Sequence, residues 1–133
     1  MKKLSFLFLI SIIFFGNSCK PDSPLANNYP REANIEYRAT IVSGSVAKAV
    51  NISYVNATGG TSDVADAPFP FKTSFKTTVN RADDLSLSVF INNSANPGAY
   101  AYKLEIVVDG KVVATETNTT SAPAIKAIAY IFP

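Results

Sequence analysis

The side chain best suited to covalent chemistry is Cys19, the only cysteine in the 133 residues. It follows a long apolar run and the short stretch Gly16–Ser18. A thiol placed there can carry a lipid as a thioether, and acylation of this kind anchors a protein to a bilayer. A thioether would leave no thiol for a disulfide. We therefore predict that Cys19 is the site of lipidation.

The residues before Cys19 have the parts of an export signal. Lys2 and Lys3 form a basic start, and a twelve-residue apolar stretch runs from Leu4 to Phe15. A membrane-spanning helix needs about 20 apolar residues, whereas about 7 to 15 are enough for the apolar core of a signal peptide. The segment resembles a bacterial lipoprotein signal peptide, with Gly16 where that pattern prefers leucine. This resemblance implies a lipid anchor in the outer membrane, on its periplasmic face or at the cell surface.

The domain organisation predicted from these features has three parts. Residues 1–18 are the signal peptide, residues 19–32 are the lipidated cysteine and a proline-containing flexible tether, and residues 33–133 are one domain. Removing Lys2 and Lys3 lowers the 12 Lys and Arg to 10, which equals the 10 Asp and Glu. A domain of zero net charge lacks the basic surface that nucleic-acid binding requires.

Histidine is missing from the whole sequence. With the one cysteine assigned to lipid, the usual ligands of zinc, copper, haem and iron–sulfur centres are lacking, as is the machinery of Cys-His and Ser-His-Asp catalysis. Two acidic clusters, Asp63 with Asp66 and Asp83 with Asp84, could supply oxygen ligands to Ca²⁺ or a glycosidase pair. Aspartates near turns more often bond to their own backbone. We predict no cofactor, no metal and no catalysis.

Apolar residues alternate with polar ones from Ala33 onward, which is the pattern of half-buried strands. The clearest strand carries Leu85, Leu87, Val89 and Ile91 on one face, and the residues between them are predicted to point outward. The other expected strands are centred on the alternating sets 35–41, 46–54, 62–65, 71–79, 100–108 and 112–114, and the last runs from about Ile125 to Phe132. Seven or eight such strands predict an all-β fold, an Ig-like antiparallel sandwich.

Turn residues divide these strands. Asp109-Gly110 between two apolar runs predicts a type I′ hairpin, because both positions need positive φ. Pro68 and Pro70 cannot donate to a ladder, so the segment Pro68–Phe71 must be an edge or a crossover between sheets.

Aromatic residues are the remaining candidates for a binding site. Phe71 and Phe75 share strand parity and are predicted to belong to the core, and Tyr100 and Tyr102 are predicted to pack as a same-face pair. Phe69 is the aromatic residue that we expect to be exposed, because the prolines on both sides keep it out of a ladder. We predict that Phe69 contacts a partner.

A family resemblance follows from the order of several short motifs. These are Ile52-Ser53-Tyr54, Gly59-Gly60, Val64, Pro70-Phe71-Lys72, Leu85-Ser86-Leu87 and the ten residues from Leu104 to Val113. Over most of residues 35–132 the chain resembles the extracytoplasmic domain of MmpS-type transport accessory proteins. That resemblance implies a small Ig-like β domain held at a membrane beside a transporter.

The function expected from these observations is non-catalytic. The chain is predicted to be a lipid-anchored accessory or binding subunit of an envelope transport or assembly complex, with a protein partner in the cell envelope. The alternative is a surface adhesin that binds glycans or host proteins. The lipoprotein signal and Phe71 depart from the family, which has a transmembrane helix and commonly tryptophan at those places.

Overall fold

The computed structural model describes residues 28–95 and 97–133. Within these residues the chain forms eight β-strands. In chain order they are β1 (Arg31–Ser43), β2 (Asn51–Val55), β3 (Thr61–Ala65), β4 (Phe71–Val79), β5 (Asp84–Ile91), β6 (Tyr100–Val108), β7 (Lys111–Thr120) and β8 (Ala124–Ile131). In the described part of the chain no helix is long and apolar enough to cross a membrane.

The strands form two antiparallel sheets of four. The first sheet has the order β4-β1-β6-β7, and the second has the order β3-β2-β5-β8. The predicted all-β sandwich is therefore confirmed. Most of the pairing joins strands that are distant in sequence, such as β1 with β6 and β2 with β5.

The inward faces of both sheets form one hydrophobic core. The predicted inward face of β5 is confirmed, since Leu85, Leu87, Val89 and Ile91 are all at most 4% exposed. The residues between them on β5, Ser86 and Ser88 included, are less buried than these four. Alternating apolar residues of the other strands complete this core, because a period of two places every second side chain on the same face.

The aromatic pair on β6 is also confirmed. Tyr100 and Tyr102 are each 1% exposed, and their ring centroids lie 6.0 Å apart. The Tyr100 hydroxyl donates to the carbonyl of Ala122, and the amide of Asn118 donates to the Tyr102 hydroxyl. Both phenols thus have a polar partner inside an apolar layer, which is what buried tyrosines require.

The two predicted turn features are confirmed. Asp109 and Gly110 both have positive φ, 51° and 80°, between β6 and β7. The Pro68–Phe71 segment is a crossover, because it joins β3 of the second sheet to β4 of the first. The prolines therefore lie where the chain leaves one ladder and enters another.

Two predicted boundaries differ from the structure. The second strand is predicted from Val46, but β2 begins at Asn51. Before it, Lys48 forms an isolated bridge with Pro68, and single backbone hydrogen bonds join Ala49 to Ala67 and Val50 to Phe90. Val50 is 42% exposed, so the apolar alternation there does not mark a buried face. At the start of the domain, β1 already begins at Arg31, inside the segment predicted as tether, because Arg31 pairs with Val79 of β4.

Candidate functional site

Phe69, the predicted partner contact, is half-buried. Its N–H donates to the carbonyl of Ala47 at 2.9 Å, and its ring packs against the core. With Ile41, Val46 and Pro70 it lines a shallow depression of about 510 Å³. Only part of the ring therefore faces solvent.

The depression lies at one end of the sandwich. Phe71 pairs with Ala39, whereas Val79 pairs with Arg31, so Phe69 and the start of β1 are at opposite ends of these two strands. Any partner that contacts Phe69 would thus bind far from the place where the chain enters the domain.

Phe71 and Phe75, which were predicted to belong to the core, are partly buried and pack against it. Phe71 packs on Tyr54 and Phe75 packs on Tyr37, each at 6.1 Å between ring centroids. The Tyr37 hydroxyl donates to the carbonyl of Val55 at 2.9 Å. Burial raises the pKa of Tyr37, with smaller contributions from Asp84 and Tyr54. This cluster stabilises the junction between the two sheets, and its rings pack on one another.

Three of the four acids in the two acidic clusters make contacts within the domain, and Asp84 is exposed at the start of β5. Asp63 accepts hydrogen bonds from the Ser53 hydroxyl and, at 3.2 Å, from the Asn51 amide, and these bonds lower the pKa of Asp63. Asp66 lies 2.5 Å from Lys48. Asp83 accepts the backbone N–H of Asn80 at 2.7 Å, in the turn before β5.

Within residues 28–95 and 97–133, no three His, Cys, Asp or Glu side chains lie close enough together to hold a metal ion. The contacts of Asp63, Asp66 and Asp83 explain these acids as structural groups of strands and turns.

The outward face of the first sheet is charged. Glu36 of β1 accepts hydrogen bonds from Arg38 and, at 3.0 Å, from Lys72 of β4. Burial alone would raise the pKa of Glu36, but these two bonds outweigh it and hold the pKa below its usual range. Lys103 and Glu105 of β6 are 2.6 Å apart. Opposite charges therefore compensate one another across three strands, as on an ordinary solvated face.

The outward face of the second sheet is different. Its uncharged part consists of outward residues of β5 and β8, which we call the β5–β8 face: Ser86, Ser88, Phe90, Ile125, Ala127, Ala129 and Ile131. Cross-strand pairing places Ser88 beside Ala127 and Phe90 beside Ile125. Short side chains at the centre and isoleucines at the ends make this face flat and partly apolar.

Ile125 and Ile131 are the most exposed large apolar side chains of the described residues, at 78% and 64%. A single exposed isoleucine needs no explanation. Two on one strand, with only alanine between them on that face, form a continuous exposed apolar strip, and exposed apolar patches are a common feature of interaction surfaces. The sequence contains a sign of this strip, because residues 124–131 are apolar at nearly every position. The alternation of side chains along the strand does not by itself show which of its two faces points outward.

β8 also forms an edge of its sheet. Its hydrogen-bonded neighbour is β5, and the order β3-β2-β5-β8 places no strand on its other side within the described part of the chain. Lys126, on the inward parity of β8, bonds to Glu116 of β7 at 2.6 Å, and this bond raises the pKa of Lys126. The ion pair joins the two sheets at this edge and leaves the outward side of β8 open.

Cys19, the predicted lipidation site, lies outside the described residues, as do the predicted signal peptide and most of the predicted tether. Comparison with known proteins finds neither a family model nor a curated protein sequence that matches this chain.

Proposed function

We propose that this chain is a lipid-anchored, non-catalytic binding subunit of an envelope transport or assembly complex. The observation that carries the proposal is the β5–β8 face, a flat surface of uncharged side chains that is bordered at one end by Asp84, opposite Ile131, and that has its two most exposed isoleucines on one edge strand. The opposite sheet presents compensated ion pairs to solvent, so the two faces of the sandwich differ in kind.

The chemistry of the β5–β8 face favours a protein partner over a glycan. Protein interfaces are depleted in charge at their centre and apolar there, and this face has serine and alanine at its centre and isoleucine and phenylalanine around it. The transport or assembly context comes from the resemblance to MmpS-type domains and is part of the proposal, as is anchoring through Cys19.

A non-catalytic role is supported by the roles of the acids. Three of the four carboxylates weighed for Ca²⁺ or for glycoside hydrolysis, Asp63, Asp66 and Asp83, bond to Ser53, Lys48 and Asn80 of this domain. General acid–base catalysis needs a group placed to exchange protons with a substrate, and these three groups stabilise turns and strand pairs instead.

The test places a photo-crosslinking side chain at Ser88, in the centre of the β5–β8 face, in the full chain expressed in its own cells. The matched control is the same replacement at Ser74, an exposed serine on β4 of the charged sheet. We expect an adduct with an envelope protein from position 88 and none from position 74. Equal labelling from both positions, or retention of the chain on polysaccharide without any protein adduct, would contradict the proposal.

Anchoring is tested in the same cells with Cys19→Ala. The expected result is loss of acylation, with the domain released in soluble form or left uncleaved in the inner membrane, because stable anchoring depends on the acyl chains. A variant that still fractionates with outer membranes as tightly as the wild type would refute the lipoprotein assignment.

A further inference from the structure

Among the described residues, the edge of β8 that faces away from β5 has backbone groups with no strand partner. Phe132 donates its N–H to the carbonyl of Asp83 at 2.9 Å, and Tyr130 lies opposite Leu85. Hydrogen-bonded pairs in an antiparallel ladder recur at every second residue, so the even-numbered residues of β8 bond to β5. The N–H and C=O groups of the odd-numbered residues point to the open edge. These are the residues with the exposed, uncharged side chains.

Natural β proteins protect open edges by short strands, charges, prolines or bulges. β3 has only five residues. β4 follows Pro70 and carries Lys72 and Lys76. β7 is polar and has a bulge where the register shifts between Ile106 and Val107.

β8 lacks these devices. It has eight residues, no proline and no register shift against β5. Its one charge, Lys126, is paired with Glu116 of the other sheet. Such an edge is suited to pair with another strand.

We propose that β8 pairs antiparallel with β8 of a second copy of this chain, which joins the two second sheets into one sheet of eight strands. The two copies of Ile128 lie opposite each other, and the two-fold axis runs between them. Ala127 of one copy then lies opposite Ala129 of the other, and Ile125 lies opposite Ile131. The odd-numbered backbone groups of both copies form the new ladder.

A second copy is the occupant because β8 is self-complementary. Residues 125–131 read Ile-Lys-Ala-Ile-Ala-Tyr-Ile, which is the same in both directions except for Lys126 and Tyr130. A two-fold interface requires a surface that matches itself, and antiparallel pairing about the centre of a palindrome places equal side chains opposite each other. A strand from an unrelated protein has no need of this symmetry.

The register follows from side-chain parity and charge. Joined strands must keep outward residues opposite outward residues, since a slip of one residue exchanges the faces. The two-fold axis therefore runs between the two copies of one residue, and not between two successive residues of the strand. An axis at Lys126 would place two lysines opposite each other, whereas the axis at Ile128 pairs each lysine with Tyr130 and uses the whole of Ile125–Ile131.

The experiment measures the mass of the full chain in detergent by light scattering, with four variants. Ile125→Lys with Ile131→Lys places like charges opposite each other twice, and we expect loss of the dimer. Ile125→Lys with Ile131→Glu places opposite charges at the same positions, and we expect the dimer to return. Rescue by this second double variant is specific to the pairing of Ile125 with Ile131.

Ala127→Pro tests the backbone part of the interface. The N–H of Ala127 points to the open edge, so proline there removes no bond to β5 but blocks the new ladder. We expect a folded monomer, and Ala127→Ser, which keeps the N–H, should remain a dimer. If Ala127→Pro fails to fold, the charge variants still decide the question.

A wild-type chain that is monomeric across the concentration range, or a dimer that both lysine replacements leave intact, overturns the pairing. The proposed function fails by a different result, the missing envelope-protein adduct from position 88. Adducts between two copies are recognised by their mass. The two proposals can therefore be refuted separately.

Discussion

Replacing Leu87 with alanine should destabilise the domain strongly. Leu87 is fully buried in the middle of β5, between β2 and β8, and faces the first sheet. The change removes about three carbon groups, which at about 0.8 kcal/mol each is roughly 2.4 kcal/mol of lost transfer free energy. A cavity term adds to this, because backbone ladders on both sides hold the neighbours in place. We expect a loss of about 3–4 kcal/mol, within the range of about 2–5 kcal/mol for such changes.

The measurement is equilibrium unfolding in urea, followed by tyrosine fluorescence, since the chain has 6 Tyr and no Trp. The matched control is Ser88→Ala, the next residue on the same strand, which points outward between Ser53 and Ala127. We expect its unfolding free energy to change by less than about 0.5 kcal/mol. A costly Ser88→Ala with a harmless Leu87→Ala would mean that the register of β5 is shifted by one residue, and the core described here would be wrong.

Two further predictions concern the Asp109-Gly110 turn. Gly110→Val should cost about 1–2 kcal/mol from its φ of 80° alone, because a Cβ there meets no atom within 4 Å. Gly110→Asn should cost less, and equal thermal stabilities for the two variants would contradict the type I′ assignment. For Asp109, burial would raise the pKa, but bonds from the Asn34 N–H at 2.9 Å and Arg31 at 2.6 Å outweigh it and lower the pKa. A lowered pKa gives stability that is present above the ordinary aspartate value of about 3.9 and is lost as the pH falls through the lowered value. Asp109 is 38% exposed, so solvent screening limits the advantage over Asp109→Asn at pH 7 to about 0.5–1 kcal/mol. Unfolding curves of both proteins from pH 7 to pH 2 should converge at the acid end, and a constant difference across that range would rule out the ion pair as its source.

The strands themselves were predictable because their signal is local. Alternation of apolar and polar residues identified β5 and its buried face, and Asp109-Gly110 identified the hairpin of β6 and β7. The same signal was misleading around Val46 and Val50. Apolar residues there alternate, but the backbone before Asn51 makes an isolated bridge and a few single hydrogen bonds instead of a continuous ladder. A ladder depends on a partner strand that local sequence does not specify.

The candidate site was less predictable. Phe69 was selected because prolines on both sides keep it out of a ladder, and the structure places it half-buried beside a depression. The β5–β8 face was missed. Its residues belong to two strands separated by more than 30 positions, and the apolar sequence of β8 does not by itself show that β8 lies at an edge of its sheet.

By itself the sequence determined the class of the fold, the inward faces of the strongest strands, the hairpin turn and the prediction of a lipid anchor at Cys19. Each depends on residues within a few positions of one another. Only the tertiary structure decided which strands became neighbours, and hence that β8 is an edge strand whose outward side is uncovered by the described residues. It also decided which charges meet, as with Arg31 and Asp109, 78 positions apart. The reason is that sheet order is set by the packing of two sheets around a shared core, so exposure and pairing belong to the assembled sandwich and not to any one strand.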